Sequence, residues 1–288
     1  MKSCVVTGAS SGIGRATAVL LAENGHRVFA TVRKESDAHA LARTPGITPV
    51  FMDVGDAEQV AEAVAKIRSE VGEAGLDGLV NNAGSGTALP LELMAPAQLR
   101  HQLEVNTIGQ LAVTQALLPA LRQARGRVVM IGSIGVRAVP PFTGPIVVPK
   151  AALTALTHIL RQELAPWGIR TILVDPASIR TDAGEKLAAA AQATVENFSA
   201  ADRALYGAAY KTMTSRFLAL DVAGSPPSAV ATVILHALTD QRPRAHYTVG
   251  RNRRRLSMIP RLPIRLADAL RRRVFGIPGP GSAIGVPR

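Results

Sequence analysis

Cysteine is nearly absent from this 288-residue chain, with Cys4 the only one. An internal disulfide is thereby excluded, and the usage fits a reducing compartment. Cys4 sits in an apolar run, which predicts inert packing. Aromatics are scarce at 3 %. The core must come from aliphatic residues, and the 47 % hydrophobic content supplies enough of them to exclude general disorder. No run of about 18 apolar residues suggests a membrane span. The first residues run straight into a strand and a glycine turn, with no secretory pattern, so a cytoplasmic location is expected. The six histidines are scattered. None pairs with a cysteine or carboxylate at ligand spacing, so no metal site is expected. Acidic charge is missing from one region in particular. Residues 251–288 hold ten arginines against Asp268 alone, so most of the +12 net charge belongs to this tail.

What is present is an alternation. SCVV, HRVFATVR, ITPVFMDV, LDGLVNNAG, GRVVMIGS and IRTILVDP read as six strands. Helical patterns stand between them, over about 56–71, 96–123 and 147–164. Apolar strands alternating with helices predict an α/β fold with a parallel sheet covered on both faces. Residues 178–226 break the rhythm. They are alanine-rich and carry Tyr206, Tyr210, Met213 and Phe217. A long insertion after a late strand is the place for a lid over a ligand crevice, with surface helices as the bland alternative.

Thr7-Gly8 and Gly12-Ile13-Gly14, with Ser10 between them, follow the first strand directly. Glycines there allow close backbone approach to a pyrophosphate, and the following helix offers free N–H groups and a positive dipole end. Dinucleotide sites often place an acid after the second strand to hold a ribose 2′-hydroxyl. Here that position carries Arg33 and Lys34. A guanidinium matches a phosphate instead, so NADP(H) is expected in preference to NAD(H). Asp53, after the third strand, is a candidate acceptor for the adenine amino group.

These motifs, with Asp53-Val54, NNAG at 81–84, Asn106 and Ser133 in this order, resemble the short-chain dehydrogenase/reductase family over residues 1 to about 250. The resemblance implies a Rossmann-type doubly wound parallel sheet of about seven strands in one domain. It also implies hydride transfer between nicotinamide and a carbonyl or alcohol, and a homo-oligomer, dimer or tetramer. By it Asn82, Ala83 and Gly84 line the adenosine and nicotinamide-ribose side. Pro176, Ile179 and Thr181 match the loop that holds the carboxamide, and Ala177 replaces a usual glycine.

Members typically use Asn, Ser, Tyr and Lys. The resemblance assigns Asn106 to a relay water, Ser133 to the substrate oxygen and Lys150 to the ribose and the phenol. The tyrosine should stand four before the lysine, on the same helix face. Ile146 stands there, and no tyrosine lies between Ser133 and Lys150. Pro149 departs as well. Proline belongs in a helix's first turn, so the helix is expected to start late and displace Lys150. Three readings stay open. The first is an oxidoreductase whose proton comes from water held by Asn106 and Lys150, from Ser133, or from Tyr206 or Tyr210. The second is a non-redox cyclase, isomerase, dehydratase or lyase on the same scaffold. The third is a binding protein without turnover.

Pro140, Pro141, Phe142, Ile146, Val147 and Val148 predict apolar surface beside the nicotinamide. With Tyr206 and Tyr210 they point to a bulky, apolar small-molecule substrate. In the tail, Leu266, Ala267, Leu270 and Val274 share one helix face, with Arg265, Asp268 and Arg272 opposite. That face is expected to dock on the main domain, with a weak contact to an anionic membrane surface as the alternative. Nucleic-acid binding is not expected, because the tail lacks interleaved aromatics. Residues 276–288 read as extended or disordered.

Overall fold

The computed structural model describes residues 1–281. Seven strands form one sheet: β1 Ser3–Val6, β2 Arg27–Val32, β3 Ile47–Phe51, β4 Gly78–Asn81, β5 Arg127–Ile131, β6 Arg170–Pro176 and β7 His246–Val249. Their order is β3-β2-β1-β4-β5-β6-β7, and every pair is parallel. The seventh strand, HYTV, escapes a hydropathy reading because only Val249 of it is buried. The helices are α1 Gly12–Glu23, α2 Glu35–Ala42, α3 Ala57–Val71, α4 Pro96–Leu103, α5 Gly109–Ala124 and the single turn α6 Gly135–Ala138. There follow α7 Gly144–Leu164, α8 Asp182–Glu196, α9 Ala200–Val222, α10 Pro227–Thr239, α11 Arg253–Met258 and α12 Ile264–Phe275.

Strand alternation divides the core in two. Val5, Phe29, Leu79 and Met130 face one layer with residues of α3, α5 and α7. Cys4, Val6, Val28 and Val80 face the other, with α1 and α10. Cys4 is fully buried, and burial pushes its thiol up to about 12, so it is the packing residue its surroundings predict. The strand order reverses between β1 and β4. Open α/β sheets bind ligands at the carboxyl ends of the strands flanking such a reversal.

Three expectations need correction. First, α7 does not start late. It begins at Gly144, and the amides of Ile146 and Val147 both donate to the Thr143 carbonyl, at 3.0 and 2.8 Å. Pro149 lies inside the helix and removes a single ladder donor. Its ring is buried beside Leu153 and Thr157, and the Thr107 hydroxyl donates to its carbonyl at 2.9 Å. Lys150 therefore keeps its place.

Second, the segment after β6 folds as α8 and α9 around a small core of its own. Ala191, Val195, Tyr210 and Met213 join Ala88 and Phe275 there. Tyr210 is buried in this core and is not a free wall of a substrate crevice.

Third, α12 docks with a different face. Ala267 and Phe275 point inward, whereas Ile264, Leu266, Leu270 and Val274 are exposed. Arg271 decides the choice: its Nε donates to the Ala138 carbonyl at 2.8 Å and its NH1 pairs with Asp268 at 2.8 Å. Phe275 meanwhile enters the lid core. Of the terminal stretch read as extended, residues 282–288 lie outside the described residues.

Candidate active site

The cofactor end is built from backbone held at close quarters. Gly8 and Gly12 adopt φ of +64° and +54°, a region that favours glycine. A Cβ on Gly14 would lie 2.2 Å from the Gly8 carbonyl oxygen and 2.5 Å from Asn82 Nδ2. A Cβ on Gly8 would lie 2.8 Å from Ala83 Cα. Asn82 closes the cradle by donating to the Thr7 and Gly8 carbonyls at 2.9 and 3.1 Å. The buried Thr7 hydroxyl accepts from the amides of Asn82 and Ala83, both at 2.9 Å. Gln110 donates to the Ala83 carbonyl from behind. Ser10 and Ile13 lie in this glycine turn, partly exposed. The glycines let β1, β4 and α1 approach at contact distance, and no side chain caps the start of α1, an arrangement that a pyrophosphate fits.

Arg33 follows β2 with its side chain largely exposed, and NH1 reaches Asp53 Oδ2 at 3.3 Å. Asp53 Oδ1 accepts from the Gly55 amide at 3.0 Å. Asp53 thus props the guanidinium at the strand ends, and both of its oxygens have partners. Lys34 is exposed beside Arg33. Val54 is buried in the core, with its carbonyl held against Gly109. Thr181 comes within van der Waals reach of a Cβ built on Gly12, so the loop after β6 meets the glycine turn. The Ile179 side chain is buried against Gly250, which leaves only its backbone to face a ligand. The Pro176 carbonyl accepts from the Ile134 amide at 3.0 Å and joins this loop to the segment after β5.

The reacting end gathers four segments. Residues 104–108 form a π-helical turn between α4 and α5, and it points Asn106 inward. Asn106 Nδ2 donates to the Ser85 carbonyl at 2.9 Å and the Gln102 carbonyl at 3.0 Å. Its Oδ1 faces Gly84, where a Cβ would come within 2.7 Å. Thr107, next in the turn, donates to the Pro149 carbonyl. Lys150 Nζ donates to the Ile131 carbonyl at 2.7 Å. Ser133, two residues on, accepts from the Gly135 amide at 3.0 Å through Oγ and stays partly exposed. Ile146 lies against Gly86, whose Cβ would meet its Cδ1 at 2.9 Å. Asn106, Ser133, Ile146 and Lys150 thus frame one region beside Gly84 and Gly86.

Charge at this end is set by burial. Desolvation lowers Lys150 to about 8 against the pull of Asp175, which favours the charged form. The chain's three phenols are all committed elsewhere. Tyr206 donates to Glu92, Tyr210 donates to the Ala88 carbonyl at 2.6 Å, and the Tyr247 hydroxyl accepts from the Arg244 amide at 2.9 Å. The Glu92 hydrogen bond raises Tyr206 and burial raises Tyr210, the wrong direction for a proton donor near neutral pH. Both hydroxyls are thus hydrogen-bonded outside the Asn106–Ser133–Lys150 set. Phe142 and Tyr206 form an aromatic wall, at a ring distance of 6.1 Å, and Tyr210 backs Phe142 from within the lid core at 5.8 Å.

That wall begins in a strained loop. Val139 and Phe142 adopt φ of +45° and +63°. A left-handed conformation costs an ordinary residue roughly 1–2 kcal/mol, and more is expected at a β-branched one. The Leu89 amide donates to the Phe142 carbonyl at 2.8 Å and helps hold the loop. Asp175 and His246 were not singled out from sequence. The available signal was a lone carboxylate ending the otherwise apolar β6. Among the described residues no group of three or more His, Cys, Asp or Glu side chains could hold a metal ion.

Compared with known families, residues 2–192 match the short chain dehydrogenase family. A 3-amino-tetrahydro-pyrrolizinone reductase from Xenorhabdus hominickii is 35% identical over 251 residues, covering 86% of this chain and 87% of that protein. Human retinol dehydrogenase 5 is 35% identical over 290 residues, covering 97% and 90%. A crystal structure of a short-chain dehydrogenase from Burkholderia cenocepacia in complex with NADP superposes with a TM-score of 0.71 at 25% identity, covering 94% of this chain and 98% of that one.

Proposed function

The chain belongs to the short-chain dehydrogenase family of oxidoreductases, and from that premise we propose that it reduces a bulky, apolar ketone or aldehyde with NADPH, using Lys150 in place of a phenol as the acid. The observation that carries this reading is the pairing of an intact glycine cradle with an intact Asn106–Ser133–Lys150 set. Gly8, Gly12 and Gly14 would hold the pyrophosphate and Arg33 the 2′-phosphate; the bound cofactor supplies the hydride. Ser133 orients the substrate oxygen by donating its hydroxyl. Lys150, with its ordinary value lowered to about 8, is an acid matched to neutral pH and gives up its proton directly or through a water at Asn106. Ile146, Phe142 and Tyr206 exclude water from the reacting face and supply its apolar walls. The NADP-bound Burkholderia cenocepacia neighbour supports the cofactor, and the retinol dehydrogenase relative supports a large apolar substrate.

The test is oxidation of NADPH by the purified chain with retinaldehyde, long-chain and polycyclic ketones, with Ser133→Ala and Lys150→Met as controls. Turnover that both variants abolish is expected. NADPH binding with no oxidation across the panel would overturn the reading.

Such substrates concentrate in bilayers, and the tail fits that setting. Ile264, Leu266, Leu270 and Val274 are exposed on α12, with arginines 265, 272 and 273 alongside. An apolar strip flanked by cations suits an anionic lipid surface. No helix among the described residues is long and apolar enough to cross a membrane. Co-sedimentation with phosphatidylserine-containing vesicles, lost in Leu266→Glu/Leu270→Glu, is expected. Equal recovery of both proteins in the supernatant would count against the contact.

A further inference from the structure

Asp175 is the only carboxylate among the described residues that is buried throughout. It is the penultimate residue of β6, beneath α7. Its Oδ2 lies 2.8 Å from His246 Nε2 on β7. Its Oδ1 is sealed from solvent and has no hydrogen-bond partner. That oxygen presses on Gly132 so closely that a Cβ there would sit 2.2 Å away. Gly132 follows Ile131, whose carbonyl receives the Lys150 ammonium. The unpartnered oxygen thus presses on the residue that adjoins the carbonyl holding the buried cation.

The rest of the cluster fixes the carboxylate. Arg137 NH2 lies 3.3 Å from His246 Nδ1. A guanidinium only donates, so Nδ1 accepts and Nε2 carries the hydrogen that goes to Asp175. An isolated buried carboxylate is costly, and a buried ammonium is costly too, unless each offsets the other. The remaining groups facing the cluster are His158 and Arg161 on α7. His158 is held below its usual value by burial, then by Arg161 and His246, with Asp175 opposing.

We propose that Asp175, held in place by His246 and Arg137, is the counter-ion of Lys150 and the positioning residue that keeps its ammonium charged at the reacting end. No phenol shares that task here, so one carboxylate carries it. The inference rests on the reading of Lys150 as the acid of a reductase, but its first test requires no turnover.

In the full chain labelled with 13Cε-lysine, the Lys150 signal is assigned by its loss in Lys150→Arg and titrated by NMR. A midpoint near 8 is expected. In Asp175→Asn it should fall by about one unit, a roughly tenfold change in the protonation constant. His246→Gln still offers a donor to Oδ2 and should move the midpoint less; His246→Leu should move it more. These two histidine variants carry the test if the asparagine variant does not fold. The pH dependence of NADPH affinity, read by fluorescence, should shift in parallel. An unchanged Lys150 midpoint in Asp175→Asn, or in His246→Leu, would overturn the proposal. If the shift appears but no carbonyl is reduced, the reductase reading fails while the pairing stands. If turnover is normal and the midpoint does not move, the reverse holds.

Discussion

The two ends of the ligand crevice are held by different means. At the cofactor end, position is enforced by backbone against backbone: Gly8 on Ala83, Gly14 on Gly8, and Asn82 tying β1 to β4. At the reacting end, position is enforced by side chains and by strain. Lys150 reaches across to β5, Arg271 reaches from the tail to Ala138, and Val139 and Phe142 sit in left-handed backbone. Backbone contacts tolerate almost no substitution. Side-chain contacts can be re-chosen while the scaffold stands, and the isoleucine at 146 packs on Gly86 from within an unbroken α7. The cofactor end fixes what is bound, and the reacting end fixes what is done with it.

The contrast is broken most severely at Gly14. Gly14→Ala drives a methyl into a carbonyl oxygen and an amide that cannot retreat separately. A loss of roughly 2–4 kcal/mol in stability is expected from such overpacking, with NADPH affinity falling by about 100-fold or more. Chemical denaturation and fluorescence titration measure the two effects. A well-folded variant with normal affinity would show that the cradle is not the binding site.

At the other end the same size of change should be tolerated. Ile146→Tyr replaces one partly exposed side chain against Gly86, at the edge of a loop that side chains alone hold. A positioned acid contributes about 10²–10⁴-fold, and displacement of the Gly86 loop will consume some of that. Carbonyl reduction is expected to rise at least about 10-fold with melting temperature nearly unchanged. No gain, in a stable variant that still binds NADPH, would mean that the pocket no longer presents a carbonyl to the nicotinamide.

Arg33→Ser separates binding from identity within the cofactor end. One charge-assisted contact to a phosphate is worth roughly 1.5–3 kcal/mol, so NADPH affinity should fall by about 10-fold or more while NADH affinity holds. Equal losses for both cofactors would show that Arg33 acts only through its ion pair with Asp53.

How much of this was legible in the sequence follows the same division. The glycine turn and the strands β1 to β6 are written locally, in glycine spacing and apolar runs, whereas the places of Asn106, Ser133 and Lys150 follow only from the family resemblance. The start of α7 is not legible because helix propensity counts Pro149 as a breaker, while its burial and the Thr107 hydrogen bond belong to tertiary structure. The burial of Tyr210 is not legible because its partner, Ala88, lies 122 residues away. The face of α12 that docks is rotated from the apolar one and shares only Ala267 with it, because Arg271 bonds a carbonyl that no periodicity reveals. β7 and the Asp175–His246 pair were missed because half-buried strands and cross-strand polar pairs leave no hydrophobic pattern.

The pH dependence sharpens the comparison by its sign. Lys150 is fully buried, and its value in the folded chain is lowered to about 8 from an ordinary 10.5. Between those two values the unfolded chain binds the proton that the folded chain has released. Stability therefore rises with pH across that window, as the burial penalty present below about 8 is lifted, by an order of 3 kcal/mol at most. Activity should do the opposite, declining above about pH 8 as the acid is lost. A two-state denaturation series and a kcat/KM profile over the same pH range should therefore diverge. In Lys150→Met the rise in stability should vanish from the window. A profile flat through pH 9, with stability rising as expected, would place the proton source on Ser133 or on water alone and leave Lys150 only its cofactor contact.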